Sequence, residues 1–373
     1  MSGAQLRHWI VAGGGTGGHV TPALALAERI AERGDAVLLL GVERGLETRL
    51  VPEAGFELLT LPARQLMGQG AGASARAVPA TLRACVSAWR ALRRFGADLV
   101  ISVGGYASVP AVVSAVLARV PLALVEPNAI PGRANRAAAR FARRIFVQFD
   151  QSVAVFARSA GADAVRAPGI PLRAALVQAF SQAPARRLPA PPFHLLVFGG
   201  SQGARQINQA MIEAAPLLGR GSLEVFHQSG EADREQVAAA YGEAGVPAEV
   251  VSFEPDMPTR YRWADLSICR AGALTVAELA MAALPSLLVP YPYAADDHQT
   301  ANARALAEAG AARLLVSREL SGKRIAETLA ELFAAPHSLR EMSARAARLA
   351  RPDAAERIVE ECAALIEASK AGG

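Results

Sequence analysis

The strongest constraint on this chain is an alternation: a short, unbroken apolar run, then a stretch long enough for a helix. Candidate strands lie at 8–12, 37–41, 57–61, 98–103, 121–125 and 144–149. They resume at 193–198, 223–227, 248–253, 265–269, 285–290 and 312–316. These runs are rich in Val, Leu and Ile and carry no polar alternation, which marks strands buried on both faces. Crossover-length segments between them make the strands parallel, so the fold class is α/β, doubly wound. At 373 residues the chain exceeds what one core usually holds, which predicts two domains. Each half opens with a strand ending in glycines, "WIVAGGGTGG" and "LLVFGGSQGA". Between them, "QAPARRLPAPP" (182–192) has the composition of a linker. The predicted organisation is a Rossmann-like domain at 1–168, a linker at 169–192 and a second Rossmann-like domain at 193–352. A C-terminal helix at 353–373 packs back on the first domain, and a cleft between the domains takes the ligand.

Composition narrows the partners. Lys+Arg 39 against Asp+Glu 34 gives a net charge of +5 and a pI near 9.5. That excess suits an anionic substrate or an anionic membrane surface. No basic tract is interleaved with aromatics, so no nucleic acid is expected as a partner. Cys85, Cys269 and Cys362 stand far apart and the histidines are scattered, which predicts reduced thiols and no metal site. The most apolar stretch, "VPAVVSAVLARVPLALV" (109–125), is interrupted by Ser114, Arg119 and Pro121. It reads as helix, turn and strand, not as a membrane span. The start of the chain shows no signal-peptide pattern.

Glycine turns at strand ends let backbone N–H groups approach an anion at a helix start. Gly13-x-Gly15-x-x-Gly18 has that form, and so do Gly199-Gly200-Ser201-Gln202-Gly203 and Val103-Gly104-Gly105-Tyr106. The first also has dinucleotide-binding spacing, and Glu43 near the second strand end keeps a nicotinamide or flavin cofactor open at this point. Against it stands His19, a titratable side chain at the mouth, where close backbone approach wants a small residue. In "ADLSICRAGALTVAELA" (264–280) a strand ends at Cys269 and Arg270-Ala271-Gly272 turns. Thr275 is placed to cap the next helix and Glu278 to accept from two adjacent ribose hydroxyls; helix-start charge complementarity is the plainer role for Glu278. Asp296, Asp297, His298, Gln299 and Asn302 form a polar cluster, either reading sugar hydroxyls or solvated.

Together, "GGGTGGHVTPALALA", "SVGGYASVPAV", "EPNAIPGRANR", "GGSQGARQIN", "HQSG" and "CRAGALTVAELAMAALPSLLVPYPYAADDHQTANA" closely resemble the MurG family, the family 28 glycosyltransferases of peptidoglycan synthesis. The resemblance covers essentially the whole chain, in the expected order. It implies a GT-B fold, two Rossmann-like doubly wound parallel-sheet domains facing a central cleft. It implies inverting transfer of N-acetylglucosamine from UDP-N-acetylglucosamine to the C4 hydroxyl of the muramyl sugar of lipid I (undecaprenyl-pyrophosphoryl-MurNAc-pentapeptide). The products are lipid II and UDP, with no cofactor and no metal, at the cytoplasmic face of the cell inner membrane as a peripheral enzyme.

The family's donor contacts fall here on Thr16, Gly17, Gly18, Asn128, Arg173 and Ser201. They continue on Ala273, Leu274, Thr275, Val276, Ala277, Glu278 and Gln299, with a backbone contact to uracil at Glu254. Gly105, Tyr106 and Asn135 are read as acceptor-binding. One departure is visible: where the family often has His-Glu-Gln-Asn, this chain has Val125-Glu126-Pro127-Asn128. A proton-transfer role at 125 is thereby removed. His19 is the favoured general base and Glu126 its rival.

For membrane docking, "PATLRACVSAWRALRRF" puts Leu82, Cys85 or Val86, Trp89 and Leu92 on one helical face, with Arg83, Arg90, Arg93 and Arg94 off it. A core-facing stripe is the plainer reading of that pattern. Leu66 and Met67 lie in the glycine-rich stretch just before, and Arg133, Arg136, Arg140 and Arg143 repeat at helical spacing. A UDP-sugar 2-epimerase and a nicotinamide-dependent oxidoreductase are the competing enzyme classes for such a plan. The acceptor-type loop "EPNAIPGRANR" speaks against the first, and the second glycine loop against the other.

Overall fold

The computed structural model describes residues 6–43, 45–62, 71–106, 108–200, 203–219 and 221–371, and the backbone alone of 71–78. It divides the chain into two compact units, Met1–Ala174 with Arg351–Gly373, and Ala175–Ala350. The proline-rich run 182–192 thus clusters with the second unit, and the chain returns to the first at Arg351.

The first unit is built on β1 (His8–Gly13), β2 (Ala36–Val42), β3 (Leu58–Leu61), β4 (Leu99–Gly104), β5 (Leu122–Glu126), β6 (Arg144–Val147) and β7 (Val165–Arg166). Their order is β3-β2-β1-β4-β5-β6-β7, every pair parallel. The sequence reading lacked β7, an edge strand of two residues that is too short to show an apolar run. The second unit holds β8 (Phe193–Phe198), β9 (Leu223–Gln228), β10 (Ala248–Val251), β11 (Leu266–Cys269), β12 (Ser286–Leu288) and β13 (Ala312–Leu314). Its order is β10-β9-β8-β11-β12-β13, again parallel throughout.

β1 shows why the strands read as unbroken apolar runs. Successive side chains point to opposite sheet faces. Trp9 and Val11 join Ile358, Val359, Cys362 and Ile366 of the Ala354–Ala371 helix. Ile10 and Ala12 join Ala84, Ala88 and Leu92 of the Ala71–Phe95 helix on the other face. Both faces are covered, so neither register position tolerates a polar residue. Each large aliphatic or aromatic side chain buried this way contributes about 1.5–3 kcal/mol.

The Ala71–Phe95 helix corrects the stripe read from the sequence. Its core face is Ala84, Ala88 and Leu92, whereas Leu82, Val86 and Trp89 point outward among the exposed Arg83, Arg90, Arg93 and Arg94. Leu66 and Met67 lie outside the described residues. The four arginines from 133 to 143 are all exposed but share no single helix. The Arg133–Ala138 helix passes into a tight turn at Ala139–Phe141, and Arg143 follows it. Among the described residues no helix is long and apolar enough to cross a membrane.

In each sheet the strand order reverses once, between β1 and β4 and between β8 and β11. Open α/β sheets bind ligands outside the carboxyl ends of the strands at such a switch.

Candidate active site

At the first switch, β1 ends at Gly13 and the Gly17–Glu32 helix begins after an extended Thr16. Ser108 Oγ ties the crossing strands together, donating to Ala12 O at 3.0 Å and Gly104 O at 2.5 Å. Gly15 has φ +90°, and a Cβ there would lie 2.8 Å from Cε1 of Tyr106. The Gly15 amide donates to both oxygens of the buried Glu47 carboxylate, at 3.1 and 3.0 Å. His19 is half-buried, with Nδ1 3.0 Å from Thr16 Oγ1. Its ring covers the turn after β4: a Cβ on Gly104 would stand 3.4 Å from His19 Cδ2, and one on Gly105 would stand 3.4 Å from Nδ1. The glycines thus clear space for an imidazole, and His19, Gly105 and Tyr106 come together.

The loop after β5 is organised by Glu126, which is 1% exposed. Oε1 accepts from Asn128 N at 3.0 Å and from Asn128 Nδ2 at 3.4 Å. Oε2 accepts from Gly132 N at 2.9 Å and from Asn135 Nδ2 at 3.0 Å. Burial pushes the Glu126 carboxyl above the usual carboxylate range, and these donors pull it partly back. A buried carboxylate with both oxygens engaged anchors a loop. His19, by contrast, is half-exposed at the switch. Asn135 is buried, bridging Glu126 and Val125 O, with its amide beside Gly104. Asn128 is half-buried at the loop's start. Arg173 stands at the end of this unit, its Nε donating to Glu28 Oε1 at 2.6 Å.

At the second switch, β8 leads into Gly199 and Gly200, and the Arg205–Ala214 helix follows Gly203. Ser201 lies outside the described residues. Here the backbone leaves no room for a side chain at Gly199 or Gly203, while Gly200 faces open space. A Cβ on Gly199 would meet Ala204 N at 2.2 Å, and one on Gly203 would meet Ser229 O at 2.0 Å. Across the switch, β11 runs into the Ala273–Met281 helix. Gly272 is the N-cap, so Thr275 lies within the first turn and does not cap as the sequence suggested. Leu274, Thr275, Ala277 and Glu278 are half-buried; Ala273 and Val276 are buried.

Loss of solvation raises the Glu278 carboxyl to about 7, and the hydroxyl of Tyr261, donating at 2.7 Å, opposes that rise. That bond occupies Oε2. Gln299 accepts from Tyr291 N at 3.0 Å through its carbonyl, which presents its amide NH₂ as the donor. Glu254 is held by Asp256 N and by Arg260 Nε at 2.8 and 2.7 Å, so its side chain shapes the loop after β10.

The sequence named Arg270 and Asn302 without showing what they hold, and it did not show the partners of His227. Arg270 donates to Val289 O, Pro290 O and Gln206 Oε1, placing a cation in the turn before Gly272. Asn302, fully buried, donates to Ala271 O at 3.1 Å. His227 connects Tyr241 OH to Asn208 Oδ1, and burial lowers it to about 3, so it is neutral. Asn208 then holds Ser229 O and Asp233. Arg270 had a signal in its place between a strand end and a helix, and Asn302 in its polar cluster; the pairing of His227 with Tyr241 and Asn208 has none.

Comparison with known proteins decides the family. The model of the glycosyltransferase family 28 N-terminal domain matches residues 9–147, and that of the C-terminal domain matches residues 194–358. The UDP-N-acetylglucosamine–N-acetylmuramyl-(pentapeptide) pyrophosphoryl-undecaprenol N-acetylglucosamine transferase of Pelobacter propionicus is 44% identical over 94% of this chain and 98% of its own length. The chain belongs to glycosyltransferase family 28. The crystal structure of Acinetobacter baumannii MurG superposes with a TM-score of 0.77 at 31% identity, covering 95% of this chain and 98% of that one. The family 28 chain is thus a GT-B protein with two Rossmann-like domains. A UDP-GlcNAc 2-epimerase of Neisseria meningitidis shares the fold, with a TM-score of 0.67 at 15% identity over 95% of this chain and 99% of its own.

Proposed function

We propose that this enzyme transfers N-acetylglucosamine from UDP-N-acetylglucosamine to the C4 hydroxyl of the muramyl sugar of lipid I, with inversion, giving lipid II and UDP. The supporting observation is that the family relation spans both switch points, each lined by the polar groups such a transfer requires. The first unit takes the acceptor and the second the nucleotide sugar.

The acceptor O4 attacks the anomeric carbon as the bond to the β-phosphate oxygen breaks. His19 takes the hydroxyl proton, and Thr16 Oγ1, 3.0 Å from its Nδ1, orients the imidazole. Glu126 sets the loop that presents Asn128 and Asn135, beside Gly105 and Tyr106. Charge developing on UDP meets the amide end of the Ala273–Met281 helix and the Arg270 cation. Glu278 accepts from the ribose through Oε1, and Gln299 donates to the sugar. Thr16, Gly17, Gly18, Arg173, Ser201 and the Glu254 backbone complete the donor contacts.

The acceptor is a lipid, so the enzyme works as a peripheral protein at the cytoplasmic face of the membrane. Leu82, Val86, Trp89, Val116, Leu117 and Phe141 form an exposed apolar face in the first unit, rimmed by arginines. A groove of about 350 Å³, lined by Ser102, Asn135, Val116, Leu117 and Phe141, reaches the acceptor loop. Apolar burial plus arginine contacts to anionic headgroups would hold the enzyme there.

The test is to incubate the purified protein with radiolabelled UDP-N-acetylglucosamine, with and without a lipid I analogue. Label should enter the lipid fraction only when the acceptor is present. Epimerised or free sugar with no labelled lipid would replace this activity with that of the fold's epimerases.

A further inference from the structure

Glu47 is the buried charge of the first unit that the scheme above leaves without a task. It opens the Glu47–Glu53 helix and is fully out of solvent. The chain has cleared space for it. A Cβ on Gly41 would lie 2.4 Å from its Cγ, and one on Gly45 would lie 2.0 Å from its Oε2. In that space the carboxylate accepts from Val42 N at 2.8 Å as well as from Gly15 N at both oxygens. A glycine turn between a strand and a helix ordinarily turns its amides toward a bound anion. Here the anion at Gly15 is a side chain supplied from 32 residues further along the chain.

We propose that Glu47 is a positioning residue for glycosyl transfer: it holds the first glycine loop in its working shape before substrate arrives, and through that loop orients His19. The path is short. Glu47 grips the Gly15 amide, Thr16 follows directly, and Thr16 Oγ1 meets His19 Nδ1 at 3.0 Å. Tyr106 closes the other side, its ring against Gly15; burial first, and then the Glu47 carboxylate, push its hydroxyl above the usual tyrosine range. Without the clamp, the Gly15–Thr16 peptide can rotate and Thr16 no longer fixes the imidazole. Misplacement of about 1 Å in a reacting group costs on the order of a hundredfold in rate. A glycine loop already occupied by an internal carboxylate also has no Gly15 amide to give to a substrate phosphate, so Gly15 serves the loop's geometry and the donor contacts fall to Thr16, Gly17 and Gly18.

This role rests on the transfer activity and the His19 base proposed above, and a double-mutant cycle keeps them apart. Glu47→Gln, His19→Ala and the double variant are assayed with the UDP sugar and a lipid I analogue varied in turn. Glu47→Gln should lower kcat by about tenfold to a hundredfold, with a smaller change in the KM for the UDP sugar, which the same loop meets through Thr16, Gly17 and Gly18. In the His19→Ala background the same substitution should change kcat by less than about twofold, because the group it positions is gone. A loss that persists undiminished in that background, a loss confined to donor KM, or an unchanged kcat overturns the proposal. Should Glu47→Gln melt below the assay temperature, Glu47→Ala with added formate takes its place. Recovery of kcat that chloride at equal ionic strength does not reproduce supports the role, and no recovery overturns it. Absence of transfer in the unaltered enzyme would instead refute the activity, and an unchanged His19→Ala would refute the base and this role with it.

Discussion

The two units carry the same device, a glycine turn after the first strand beside a reversal of strand order, and they close it differently. In the first unit side chains do much of the closing: Glu47 holds the Gly15 amide, Tyr106 stands against Gly15, and His19 and Asn135 stand against Gly104, while a Cβ on Gly13 or Gly105 would meet a backbone oxygen at 3.0 Å. In the second the backbone does it, with Gly199 against Ala204 N and Gly203 against Ser229 O. Behind the second loop Asn208 and Gln228 fasten backbone carbonyls, and a neutral His227 fastens Asn208. A turn lined by side chains can bring a titratable group to a reaction. A turn closed on backbone is a cradle whose shape does not vary with protonation, which suits a ligand that is the same every cycle. The difference teaches that the glycine spacing specifies the turn, while the neighbours specify its use.

The sharpest way to break this contrast is to add a methyl group to each loop. Gly203→Ala should destabilise the protein by about 3 kcal/mol or more, because a backbone carbonyl stands in the way and the residue has φ +73°. Gly15→Ala meets a tyrosine edge that can move, and should cost about 1–2 kcal/mol. Denaturant midpoints of the two variants measure the gap, and equal losses would erase the distinction. Next in size, His19→Ala should lower turnover by about a hundredfold with donor KM within about threefold. If donor binding fell in step with turnover, His19 would be a donor ligand and not the base.

Glu126→Gln places an amide NH₂ opposite backbone and side-chain donors. It should reduce kcat/KM for the acceptor by about tenfold, with a smaller rise in donor KM through the loosened Asn128, as steady-state kinetics with each substrate varied will show. The smallest effect concerns pH. With Glu278 near 7, its ionised fraction and hence ribose binding fall on acidification. The dissociation constant for the UDP sugar should rise about threefold between pH 7.5 and 6.5, and Glu278→Gln should abolish that slope. The sign for stability is opposite: a raised carboxyl favours its protonated folded form. Its contribution is full below the usual carboxylate range and is lost as pH rises through about 7. The ligand-free protein should therefore gain stability from this group on acidification, the reverse of its effect on binding.

Much of the scaffold could be read directly. Strands buried on both faces leave unbroken apolar runs, and β1, β4, β8 and β11 announced themselves that way; β7, at two residues, did not. The glycine turns were legible because each lies within a few residues of a strand end. The outward face of Leu82, Val86 and Trp89 was not, because helical spacing alone does not say which of two apolar stripes meets the core.

Local chemistry along the chain thus settled the parallel sheets, the two glycine turns and the residues offered at their mouths, since strand burial and turn geometry act over a handful of positions. The chain alone could not tell that Glu47 would fill the first turn, that Glu126 would be consumed in holding its own loop, or that Tyr261 would lie against Glu278. Those pairings join segments that meet only once the strands have aligned. Their energies come from burying a charge together with its hydrogen-bond partners, a quantity that exists only in the folded state.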